Sequence, residues 1–208
     1  MGWQNAAMRE LKIVDFLAEL ADRRPAPGGG ATAALHAAQA AALLGMVGRY
    51  STGEKYAGHA EAIVAVIAET DTLRARALKL AEEDAAAFTA VTDAYRLPKG
   101  ELRGAAIAAA LAGAAEPPAL VIEAATRVVE LCELLLPIGN RNVVTDVAAA
   151  AEAARAALTT ARVNVEVNLG GIKDEPVREK LNITLSGVDA AVARADWVTA
   201  EVREEINR

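Results

Sequence analysis

The sequence predicts an all-α fold: a bundle of about six to seven mostly long antiparallel helices, one interrupted at a Pro-Pro pair, that dimerises. Three observations lead there. Alanine, the best helix former, occupies 51 of the 208 positions, while aromatic residues make up only 3%. Apolar residues recur at steps of three and four over stretches much longer than a strand. Alternation of the strand type is confined to Val163, Val165, Val167 and Leu169; no other stretch offers it a partner strand, so that segment is also read as helix. A core rich in alanine buries little area per side chain, so helix backbones must approach closely, and a second copy extends the burial. One domain over residues 1–208 accommodates all of this.

Taken in order, Ile13, Phe16, Leu17 and Leu20 mark an amphipathic helix between Asn5 and Asp22, ended by Arg23-Arg24-Pro25. Pro25 and Pro27 then direct an extended approach, and Gly28, Gly29 and Gly30 open a tight turn into a helix from about Ala31 to Tyr50. That helix is apolar on nearly every side and should be surrounded by others. Glycines at a helix start commonly serve close packing; they also leave the first N–H groups, which lack intrahelical partners, open to a polar ligand. After Ser51-Thr52-Gly53 closes this helix, a long one runs from about Gly58 to Tyr95, with Asp84 on its apolar stripe beside Leu80, Ala81 and Phe88. An ionised carboxylate there is partly desolvated, unless it lies at the stripe's edge with a partner.

Leu97-Pro98-Lys99-Gly100 breaks the chain before a low-charge helix from about Leu102 to Ala115, and Glu116-Pro117-Pro118 interrupts that helix before apolar residues resume from Val121 to Leu135. Asn140 or Asn142 suits the N-cap of the following helix, with Asp146 in its first turn, where the macrodipole favours an anion. Asn142 and Asp146 also share a face with Ala150, Ala157, Ala161, Asn164 and Asn168. From about Pro176, Leu181 to Ile206 read as one final amphipathic helix.

The formal charge of −6 argues against a nucleic-acid or anionic-membrane partner, both of which need a basic face. Charges in the first sixteen residues are out of place in an export signal, and no membrane span is expected. With Cys132 the single cysteine, neither an intrachain disulfide nor a cysteine metal cluster can form, and the simplest location is the cytoplasm.

Four stretches go beyond composition. PAPGGGATAALHAAQAAALLGMV, EEDAAAFTAVTDAYRLPKG, AAEPP, and GNRNVVTDVAAA followed by RVNVEVNLGGI resemble, in content and order, the formiminotetrahydrofolate cyclodeaminases and methenyltetrahydrofolate cyclohydrolases. The resemblance runs from Phe16 to Ile172. It implies an all-helical, homodimeric, metal-free enzyme that needs no cofactor and takes a tetrahydrofolate derivative as substrate. One departure is local: the lysine-rich loop typical of the family is here the less basic Gly53-Glu54-Lys55-Tyr56.

Both family reactions pass through a tetrahedral adduct of an amidine carbon, and both need a base, an acid and a negative group near a cation. The resemblance, with the residue chemistry, casts Asp84 and Asp146 as the catalytic carboxylates. Asn142 steers Asp146, and Asn140 hydrogen-bonds the substrate. Pro27, Gly28, Gly29, Gly30 and Glu116 lie in motifs that approach the substrate, and Lys55, Tyr56, Lys99 and Arg141 are candidates near the glutamate tail. A free-standing chain of this length favours the cyclohydrolase. The alternatives are the ammonia-releasing cyclodeaminase and a non-catalytic helical protein that binds folate or serves assembly.

Overall fold

The computed structural model describes residues 8–208, so the expected helix start at Asn5 lies outside the described residues. Seven α-helices and no strands are found among them: α1 (Ile13–Ala21), α2 (Gly29–Tyr50), α3 (Ala60–Arg96), α4 (Glu101–Leu135), α5 (Val144–Leu169), α6 (Glu175–Ser186) and α7 (Val188–Ile206). The all-α expectation holds. The alternating valines before Leu169 are helical, because only one face of α5 meets the core: Val165 is fully buried while Val163 and Val167 are exposed.

Helix α2 is the axis of the bundle, packed against α3, α4 and α5, while α7 covers the other side of α5. Alanine makes this possible. Ala33, Ala34, Ala40, Ala150, Ala154, Ala157 and Ala161 have no exposed surface, so α2 and α5 meet through methyl groups. Gly45 and Gly48 extend the close approach toward α3, where a β-carbon on Gly48 would stand 2.7 Å from Ile67 Cγ1. Overpacking costs about 1–3 kcal/mol and a helical Gly→Ala change returns about 1 kcal/mol. Gly48→Ala is therefore expected to lower the urea midpoint by a net destabilisation of about 1 kcal/mol.

Two expectations are corrected. The Pro-Pro pair does not interrupt its helix: α4 runs unbroken through Pro117 and Pro118. Each proline removes one i→i−4 donor, leaving the Gly113 and Ala114 carbonyls without that bond, and Asn168 Nδ2 of α5 donates to Ala114 O at 3.3 Å. The predicted single C-terminal helix is two, α6 and α7, which meet at Gly187. Asp174 starts α6 by accepting from Val177 N.

Beyond Ala85 the second half of α3 and the first half of α4 extend as a helical hairpin in which, from residue 86 to 113, only Ala94 is buried. Helices α2 and α4 each have the length and hydropathy to cross a membrane, but most of the apolar window of α2 is buried inside the bundle.

Candidate active site

At the base of that hairpin the N-terminus of α2 faces α3, α4 and α5 across a cavity of about 360 Å³. Gly28, extended at φ −142°, is the N-cap, and Gly29 and Gly30 form the first turn with no side chain capping it. Their N–H groups have no intrahelical acceptor. The third N–H, of Ala31, lies beside the Asp84 carboxylate and favours its charged form. Gly30 is what lets Asp84 come so near: a β-carbon there would lie 2.0 Å from Asp84 Oδ1. Asn164 takes the other side of the turn, its amide nitrogen 3.4 Å from a β-carbon placed on Gly29.

Asp84 has no ion-pair partner among the described residues. Burial pushes its carboxyl above the usual carboxylate range, and the Ala31 hydrogen bond only partly offsets that. Phe88, Val91 and Tyr95 continue the α3 wall, Leu111 and Ala114 come from α4, and Asn164, Val167 and Asn168 come from α5. Among the described residues no lysine, arginine or histidine lines this space. A weakly solvated carboxylate, two free backbone donors and a pair of amides can hold a cationic heterocycle and move a proton beside it.

The other residues singled out in the sequence divide between two ends of the bundle. Gly28, Gly29 and Gly30 line the cavity with Asp84; Pro27 is buried beside them, and Lys99 is exposed in the turn between α3 and α4. Glu116, two residues past Ala114, points around α4 into a separate cleft with Glu123, Lys180 and Leu181.

Asp146 and its neighbours gather at the far end. Asn140 caps the turn before α5, accepting from Asn142 N at 3.0 Å, while its Nδ2 donates to Tyr50 O at 2.7 Å and its N–H to Ser51 Oγ at 2.8 Å. Its side chain ties the turn before α5 to the end of α2. Arg141 pairs with Glu205 of α7. Lys55 sits with its ammonium 5.4 Å from the Tyr56 ring centre. Asp146 is half-buried in the first turn of α5, and Asn142 is exposed.

Eighteen residues of α5 separate Asp146 from Asn164, roughly 27 Å along the axis. Asp84 and Asp146 therefore do not share a site within one chain, because proton transfer needs contact at hydrogen-bond distance. The sequence reading grouped Asp84 and Gly28–Gly30 with Asn142 and Asp146 and found the face that carries Asn164 and Asn168, but it did not choose Asn164, Asn168, Phe88, Tyr95 or Leu111. Phe88 and Tyr95 gave a signal as the aromatic continuation of the Asp84 stripe.

Residues 12–186 match the family model described as formiminotransferase-cyclodeaminase. The chain belongs to that family. A methenyltetrahydrofolate cyclohydrolase of Methylorubrum extorquens is 34% identical over 202 residues, covering 94% of this chain and 97% of the relative. The formimidoyltransferase-cyclodeaminase of Mus musculus is 30% identical over 88% of this chain, which spans only 35% of that longer protein. Among solved structures, the formiminotetrahydrofolate cyclodeaminase of Thermotoga maritima superposes with a TM-score of 0.87 at 28% identity, covering 96% of this chain and 99% of the other. For a member of the cyclodeaminase family, the Asp84 cavity unites the proline-triple-glycine motif, the aspartate motif of α3 and the asparagine motif of α5.

Proposed function

We propose that the protein hydrolyses 5,10-methenyltetrahydrofolate to 10-formyltetrahydrofolate. The observation that carries the reading is the desolvated Asp84 carboxylate held against the open first turn of α2, in a cavity lined by no cationic side chain among the described residues. The substrate's one-carbon unit is an amidinium between N5 and N10. Asp84 accepts a proton from the attacking water as the C–O bond forms, then returns it to N5 as the C–N5 bond breaks. The remaining hydroxyl proton leaves to solvent and the formyl group stays on N10. The Gly29 and Gly30 N–H groups are placed to donate to the new oxygen. The match to the cyclohydrolase relative over nearly its whole length supports this reaction.

The structural likeness to a cyclodeaminase favours one second reading, in which N10 attacks a formimino carbon and ammonia leaves. Loss of the methenyl chromophore with purified protein, run beside its formation from formiminotetrahydrofolate, tests the two together. Hydrolysis well above the uncatalysed rate without ammonia release supports the cyclohydrolase. Chromophore formation with ammonia release supports the cyclodeaminase, and neither activity overturns both.

The working form on this reading is a cytoplasmic homodimer. A hairpin of two helices with one buried residue over residues 86–113 gains little from its own packing, and its α4 half carries no charge from Gly104 to Ala115. A second copy packed on it by a twofold axis can bring the Asp146 end of one chain to the Asp84 cavity of the other. Asp84→Asn and Asp146→Asn proteins, each of low activity, are then expected to recover activity when unfolded and refolded together. Random pairing leaves one intact composite site in each mixed dimer, about a quarter of the wild-type sites. No recovery on mixing argues for sites complete within one chain.

A further inference from the structure

Asn164 and Asn168 stand one turn apart on α5 and both reach the Asp84 cavity. Their amides are fixed by what they donate to. Asn164 Nδ2 donates to Thr160 O at 2.8 Å, and Asn168 Nδ2 donates to Asn164 O at 2.8 Å and to Ala114 O. All three partners are carbonyls, which only accept, so nitrogen must face them and oxygen must face away. The Ala114 carbonyl is open to Asn168 because Pro118 has no N–H to give it. The double proline thus helps set the orientation of an amide across the cavity.

Neither Oδ1 accepts a hydrogen bond from a described residue. Together with Asp84 they set three accepting side chains on the cavity wall, where the other side-chain polar groups are the Tyr95 hydroxyl and the second hydrogen of the Asn164 amide. Such a wall selects a ligand rich in N–H groups. Side chains at i and i+4 on a helix stand about 5–6 Å apart. Two oxygens that each accept one N–H of the same planar amino group, at about 2.9 Å and 120° apart, are separated by roughly 5 Å.

We infer that Asn164 and Asn168 straddle an exocyclic amino group of the substrate and make the site specific for a 2-aminopyrimidinone ring. This rests on the folate reading and adds the contact that selects the pterin. Asn164 also touches the first turn of α2 beside Gly29, so the selected ring lies next to the Gly30–Asp84 contact where the chemistry occurs.

The test compares 5,10-methenyltetrahydrofolate with its analogue bearing methyl in place of the 2-amino group. Wild-type kcat/KM is expected to favour the amino substrate by about 30-fold or more, since a site built to hydrogen-bond a group rejects the analogue lacking it. Asn164→Leu, close in shape but without the acceptor, is expected to cut that preference about tenfold through KM, with kcat changed less than about threefold. Asn168→Leu also removes the Ala114 tie, so Asn164 carries the decision if that variant fails to fold. A preference unchanged in Asn164→Leu, or equal losses on both substrates, overturns the inference while leaving the hydrolysis reading intact. If wild type turns over neither compound, calorimetry with 5-formyltetrahydrofolate and its 2-methyl analogue decides: selective binding lost in Asn164→Leu upholds the contact and overturns the hydrolysis, and absence of binding overturns both.

Discussion

Asp84→Asn is expected to lower turnover about 10²–10⁴-fold, the range for removing a positioned general acid or base, while making the protein more stable at neutral pH. The two effects have one cause. Burial raises the Asp84 carboxyl above its ordinary value of 3.8, so the folded state favours the proton. Protonated Asp84 contributes fully to stability below that ordinary value, and the contribution is lost as pH rises through the higher folded value. Above the folded value the ionised group opposes folding; a neutral asparagine does not, and its amide oxygen can still stand beside the Ala31 N–H. The urea midpoint of the variant should exceed that of wild type at pH 7, and the difference should shrink toward zero below about pH 4. Turnover and unfolding measured on the same preparations check both halves. A variant of unchanged turnover would remove Asp84 from the chemistry, and a less stable one would mean that something pairs with the carboxylate.

Gly30→Ala is expected to lower turnover roughly 100-fold, the scale of a misplacement of about 1 Å at a reacting group, with the helical circular dichroism unchanged. The added β-carbon would lie 2.0 Å from Asp84 Oδ1 and 2.3 Å from its Cγ, so the carboxylate has to leave its place beside Ala31. Alanine suits the first turn of a helix better than glycine, so the backbone of α2 has no reason to unfold. Steady-state kinetics beside a thermal melt separate the outcomes: lost turnover with a melt kept or raised is expected, whereas full activity would mean that the carboxylate works equally well elsewhere.

The fold was legible because its signals are periodic. Alanine at the buried positions of α2 and α5, the stripe along α3 and the caps at Gly28 and Asn140 all depend on residues within a turn of one another. Pro117 and Pro118 misled in one respect. A local rule predicts a break there, but the preceding turn lost two helical bonds without ending, and one freed carbonyl found a donor fifty-four residues away in Asn168. The C-terminal helices were merged for a similar reason, since apolar spacing continues across Gly187 while the helical assignment breaks there, the Gly187 N–H bonding to Thr184 O.

By itself the sequence determined that the chain is helical, that its helices meet through alanine and glycine, and that Asp84 is a carboxylate on an apolar stripe. The tertiary structure alone decided which polar residues share a cavity with it. Spacing along a helix fixes the angle of a side chain about the axis, so Asn142, Asp146, Asn164 and Asn168 all read as one face. It does not fix which part of a neighbouring helix stands opposite at a given height. Close packing of α5 along α2 sets that height, bringing Asn164 to Gly29 and leaving Asp146 at the other end, near the Asn140–Tyr50 contact.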